Sequence, residues 1–215
     1  GTYNAGKASN WTTSTWSFPR RVAYMLENMP NCKESVSEEL YNHYEGVARF
    51  WRAWITVKRM KTFGDVYFVD EVISADDTEA LYAPREDREY VFHRVREDLE
   101  FACANCLESG AGIHTDGRIY INRYVALAFA SRFFLYEGTY RKYHDKNPST
   151  GRVWNNEYES PEELLGLAEK YSKELIDTKA FKLNPDYRSL FVSAVLPTDE
   201  VIWGRSYSSD LSVKH

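Results

Sequence analysis

The sequence predicts an all-α fold, an array of antiparallel helices joined by two long connections. Three observations carry that expectation. Apolar residues recur three and four apart over most of the chain. Helix-capping signals stand where those stripes begin and end. The strand-like runs, Val66-Tyr67-Phe68-Val69 and Glu200-Val201-Ile202-Trp203, are brief and predict no more than short edge strands.

The first stripe includes Val22, Leu26 and Met29 and stops at Pro30-Asn31. Ser35-Val36-Ser37-Glu38 reads as a capping box, in which a serine and a glutamate satisfy each other's orphan backbone donors. It opens the longest helix, with Leu40, Tyr44, Val47, Ala48, Trp51, Trp54, Ile55 and Val57 on one face. Lys58, Arg59 and Lys61 fall in its last turns, where cations favour the negative helix end, and Gly64 supplies the stop. A third helix spans about Pro84 to Leu107, with Val91, Val95, Leu99, Ala102 and Cys106 as its stripe and Pro84 near its start.

A fourth helix begins near Asn122, carries Val125, Leu127, Phe133, Phe134 and Leu135, and closes at Gly138. Ala126, Ala128 and Ala130 leave room on it for a close neighbour. The fifth opens at Ser160-Pro161-Glu162-Glu163, an N-cap, a first-turn proline and an N3 glutamate together. Leu164, Leu167, Ala168, Tyr171, Leu175 and Ile176 make its buried face. Antiparallel pairs with Tyr and Ala at the contacts resemble tetratricopeptide units, although no strict period of about 34 residues is visible.

Two connections are long for a helical scaffold. The stretch 68–82 is acidic, with Asp70, Glu71, Asp76, Asp77 and Glu79; the stretch 139–159 is aromatic, with Tyr140, Tyr143, Trp154 and Tyr158.

Composition narrows the function. The 215 residues are 43% hydrophobic, enough for a substantial core. A net charge of -5 argues against a nucleic-acid backbone as the main partner, which needs clustered cations. Aromatic residues reach 15%, with 6 Trp and 16 Tyr, side chains that suit cores, interfaces and sugar faces. No run is long enough to span a membrane, and no signal peptide opens the chain.

The chain holds 3 cysteines, an odd count that argues against a disulfide framework. Cys103-Ala-Asn-Cys106 lacks the second pair a zinc site needs, so it reads as two cysteines on a helix face. His43, His93, His114, His144 and His215 have no metal-ligand spacing. No phosphate loop or hydrolase motif occurs, and Glu38-Glu39, Asp76-Asp77 and Glu162-Glu163 read as solvated faces. The expectation is a protein that is not an enzyme and uses no cofactor or metal.

Glu45-Gly46-Val47-Ala48-Arg49-Phe50-Trp51-Arg52-Ala53, running on to Thr62-Phe63-Gly64-Asp65-Val66, resembles the signature helix of the SusD/RagB family, with Gly46 where alanine is usual and Tyr67 in place of a proline. Leu81-Tyr82-Ala83-Pro84-Arg85, followed by Val91-Phe92 and Glu97-Asp98-Leu99, resembles a second block. Gly117-Arg118-Ile119 with Leu135-Tyr136-Glu137-Gly138 resembles a third. Phe181, Leu183, Pro185-Asp186-Tyr187 and Leu190-Phe191, then Glu200-Val201-Ile202-Trp203, resemble a fourth. The blocks follow the family's order. Arg49 and Arg52, three apart on a helix, are placed to reach one carboxylate, so the signature reads mainly as scaffold.

The resemblance implies a SusD-like, tetratricopeptide-like scaffold over 1–215, a single helical domain from the N-terminal and central part of a longer protein. It also implies a surface-exposed outer-membrane lipoprotein of the Bacteroidetes type, whose N-terminal lipid anchor is absent from this chain. Such a protein captures oligosaccharide for glycan utilisation and delivers it to a TonB-dependent, SusC-like transporter. Capture of peptide and a plain protein–protein adaptor are the alternatives.

A sugar site needs aromatic platforms and planar hydrogen-bonding groups. The polar segment around Asn10 and Trp11 and the segment holding Arg205, Tyr207 and Asp210 have that character. Both fall in the neighbourhoods from which the family builds its glycan site, so these five residues are the expected ligand contacts.

Overall fold

The computed structural model describes residues 12–109, 111, 118–144, 146–147, 151, 153–154, 159–193 and 196–205. Among them the regular elements are α1 (Thr13–Asn28), α2 (Glu38–Phe63), α3 (Thr78–Leu81), α4 (Arg88–Asn105), α5 (Arg123–Tyr143), α6 (Pro161–Asp177) and α7 (Ser189–Val192). A 3-10 turn, Met29–Ser35, joins α1 to α2. The architecture is helical, as the periodicity predicts. The chain divides into two compact units, residues 1–102 with 146–158 and residues 103–145 with 159–215.

In the first unit α1 packs on α2. Pro19 lies inside α1 and has no N–H for the carbonyl of Thr15, four residues back. The guanidinium of Arg59, from α2, donates to that carbonyl and lies 4.0 Å over the Trp16 ring. Burial holds Arg59 down to about 10.

The cap of α2 is Ser37, whose hydroxyl accepts from the Leu40 N–H at 3.2 Å. The Ser35–Glu38 box does not form, because Ser35 closes the 3-10 turn and the α-helix starts two residues later than that box requires. At the other end Gly64 takes φ 73° and ψ -107°, a conformation open to glycine, and its N–H returns to Met60.

Burial on α2 is wider than one stripe. Tyr41, Phe50, Ala53 and Met60 are buried, while Tyr44, Val47, Trp51 and Trp54 are half-buried. α1 packs against this helix, and its arginines extend to α4. Arg52 reaches α4 and binds both Asp98 oxygens at 2.7 Å, and Arg49 stands 3.7 Å from the same carboxylate. The two signature arginines therefore meet one acid. Burial pushes the Asp98 carboxyl up, and its Arg52 hydrogen bonds pull it part of the way back.

Residues 66–69 form no strand. Val66 makes an isolated bridge to Glu86, and the Phe68 N–H donates to the Glu86 side chain at 2.6 Å. A carboxylate thus takes the place of a partner strand. The start of α4 is set by Asp87, which accepts from the Glu89 N–H, and by Asp65, which accepts from the Arg88 N–H at 3.1 Å. Pro84 remains exposed in the preceding connection, outside the helix.

In the second unit Asn122 caps α5 through the Val125 N–H. The helix does not close at Gly138 but continues to Tyr143. A Cβ on Gly138 would lie 2.9 Å from Leu165 Cγ and 3.1 Å from the Pro161 carbonyl, so this glycine permits close approach of α6. Pairing of Ser131 with Ser172 at 2.5 Å and stacking of Phe134 on Tyr171 run α5 and α6 antiparallel. The Ser160–Glu163 capping box forms as expected. Leu164, Ala168 and Tyr171 are buried, whereas Ile176 is exposed in the last turn.

Residues 200–203 form no strand either. The Trp203 indole donates to the Ile119 carbonyl, and the Gly204 N–H donates to the Arg118 carbonyl at 2.7 Å. Arg118 in turn donates twice to the Thr198 carbonyl. Single tethers replace a ladder.

Candidate ligand-binding groove

A groove of about 490 Å³ opens in the first unit. One wall comes from the start of α1, where Trp16 and Arg20 lie four residues apart and so share a helix face. Arg59 fixes the Trp16 ring from α2, which sets the wall's position.

The facing wall is the acidic connection after α2. Tyr67, Val69, Glu71 and Ile73, alternate residues of this segment, line the groove. Intervening residues hold that segment in place. Phe68 is buried beneath the guanidinium groups of Arg52 and Arg94, Asp70 pairs with Arg94 at 3.4 Å, and the Val72 N–H donates to Glu27 of α1 at 2.5 Å. Farther on, Asp77 accepts from the Ala80 N–H and caps α3, bringing Ala80 and Leu81 to the rim beside Ala83 and Arg85.

The electrostatics follow from this packing. Burial raises the Tyr67 hydroxyl above its usual range, and Asp70, Glu71, Glu86 and Asp77 raise it further. It therefore stays protonated at neutral pH and can both donate and accept. Burial also raises Glu86, an effect offset by its bond from the Phe68 N–H.

A smaller hollow of about 290 Å³ lies beside Trp54, Lys58 and Phe63, but the Lys58 ammonium already sits 4.4 Å over the Trp54 ring. Among the described residues no group of His, Cys, Asp and Glu is placed to hold a metal ion. Cys103, in α4, and Cys106, one residue past its end rather than on the helix face, are buried free thiols. No helix among the described residues is long and apolar enough to cross a membrane.

Of the five expected ligand contacts, Asn10, Trp11, Tyr207 and Asp210 lie outside the described residues. Arg205 is described and exposed. The groove instead presents Trp16, Arg20, Tyr67 and Glu71, none of them among those five. Two signals mark them: a Trp and an Arg four apart at a helix start, and period-two alternation inside an apparent loop.

A helical scaffold with an aromatic-walled groove is a fold shared with solved structures. The chain superimposes on a SusD-like protein from Bacteroides fragilis with a TM-score of 0.65 at 19% identity, covering 88% of this chain and 32% of that one. A surface glycan-binding protein A from Bacteroides fluxus gives 0.63 at 17% identity, covering 86% and 33%. A laminarin-binding SusD-like protein gives 0.60 at 16% identity, covering 85% and 34%.

The chain thus has the SusD-like fold, as the four motif blocks predict, and spans about a third of the length of these structures. No family profile matches the sequence, and no curated protein does.

Proposed function

We propose that this chain binds oligosaccharide at the surface of a bacterial outer membrane, without cleaving it, for delivery to a TonB-dependent SusC-like transporter. The observation that carries the reading is the groove itself, in which Trp16 and Tyr67 supply ring faces and Arg20 and Glu71 supply donors and acceptors. Pyranose C–H faces stack on such rings while hydroxyls take the polar groups. Likeness of fold to proteins described as glycan-binding and laminarin-binding supports the same class of ligand. Asn10, Trp11, Arg205, Tyr207 and Asp210 remain proposed ligand contacts, and an N-terminal lipid anchor remains part of the proposal.

Titration of the chain with a panel of β-glucan, xyloglucan and starch oligosaccharides, with chromatography of each mixture, tests this reading. Binding without shortened products is expected, and hydrolysis of any bound glycan would overturn it. Co-purification with a transporter encoded beside the gene tests delivery.

Capture of peptide is the second reading, favoured by the aliphatic side chains of Val69, Ile73 and Leu81 in the groove. Stronger binding of mixed peptides than of any glycan would select it.

A further inference from the structure

The composition of the groove asks for more than a bare sugar. Seven of its ten lining residues are aliphatic or aromatic, three are charged, and none is Asn, Gln, Ser or Thr. Hydroxyls placed against Val69, Ile73 and Leu81 would lose water without gaining partners, so a sugar seated on the rings and charged groups leaves that wall without a complementary group. An apolar group fits it well, and the flanking rings of Trp16 and Tyr67 favour an aromatic one.

The charges refine the choice. Arg20 makes no ion pair or hydrogen bond among the described residues and stands ready to donate. Glu71 lines the opposite wall as an acceptor. A lining that carries both signs matches a neutral head with its own donors and acceptors. The carboxylates of Asp70, Glu71, Asp77 and Glu86 make the surroundings of the Tyr67 hydroxyl negative, whereas Arg20 and Arg85 bring positive charge to the rest of the lining.

From the aromatic and aliphatic walls and this two-signed lining we infer that the groove receives an aromatic acyl ester carried on a sugar. The ring lies between Trp16 and Tyr67, the ester carbonyl accepts from Arg20, and sugar hydroxyls face Glu71. The inference rests on the glycan-capture reading and names the kind of glycan: an aryl-esterified oligosaccharide.

Calorimetric titration of the full chain at neutral pH with methyl ferulate and with methyl glucoside tests the groove. The ester is expected to bind at least about tenfold more tightly than the bare glycoside. Ile73→Asp and Leu81→Asp should each weaken the ester about tenfold or more. Leu81 is 51% exposed, so its variant keeps the fold. Equal binding of ester and glycoside, or ester binding that ignores both variants, overturns the inference, as does an apolar peptide amide that displaces the ester and binds more tightly.

A feruloylated arabinoxylo-oligosaccharide, compared before and after saponification, separates the two levels of the claim. Tighter binding of the esterified form, lost in Leu81→Asp, supports the inference. Equal binding of both forms overturns the inference and leaves glycan capture standing. If neither form binds while methyl ferulate does, glycan capture falls and the inference falls with it.

Discussion

Pro19 costs α1 a backbone hydrogen bond, and Arg59 replaces it with a donor from another helix. A proline inside a helix typically costs about 3 kcal/mol, so the replacement has a large deficit to offset. Arg59→Ala is expected to destabilise the chain in urea by about 2 kcal/mol, because the Thr15 carbonyl and Trp16 lose their partner together. Pro19→Ala restores the N–H, and in that background the same Arg59→Ala change should cost at least about 1 kcal/mol less. Equal costs in both backgrounds would mean that Arg59 acts through Trp16 alone.

The cysteines allow a second test at this scale. Burial holds the Cys103 thiol well above its usual range and pushes Cys106 up to about 12, whereas Cys32 is exposed. The thiolate is the reactive form, and it appears only as pH rises through these values. Iodoacetamide at mildly alkaline pH should therefore label Cys32 in the folded chain and reach the other two only after denaturation, as read by mass spectrometry. Rapid labelling of Cys106 in the folded state would contradict the packing described.

At the scale of elements, two glycines separate close approach from helix propensity. Gly138 of α5 faces Leu165 and the Pro161 carbonyl, whereas a Cβ on Gly166 of α6 would meet nothing within 4 Å. Alanine is the better helix former by about 1 kcal/mol, so Gly166→Ala should stabilise by roughly that amount. At Gly138 the same gain is outweighed by overpacking against a backbone carbonyl, and Gly138→Ala should lose about 1 kcal/mol or more. Thermal melts of the two variants should move in opposite directions. A stabilised Gly138→Ala would show that the α5–α6 contact yields at little cost.

At the scale of the whole molecule, the expectation of one domain over 1–215 predicts a single calorimetric unfolding transition. Two resolved transitions, assigned to residues 1–102 with 146–158 and to the remainder, would count against it.

The sequence by itself determined the helical fold, the Gly64 stop, the Asn122 start and the Ser160 capping box, because periodicity and capping chemistry act within a few residues. It also marked Arg49 and Arg52 as a pair able to share an acid, although it did not say which acid. Tertiary structure alone decided that Asp98 is that acid and that Ser37 rather than Ser35 caps α2. It also carried α5 through Gly138, where the glycine makes room for α6. The apolar runs 66–69 and 200–203 form no strands because a carboxylate and single backbone tethers meet them instead. The groove belongs to the same category. Trp16 lies about fifty residues before Tyr67 in the chain, and contacts of Glu27, Arg59 and Arg94 hold the two walls in place. Local signals fix where a helix begins and ends; which side chains face one another across a cavity depends on contacts between residues distant in sequence, and no local pattern encodes those.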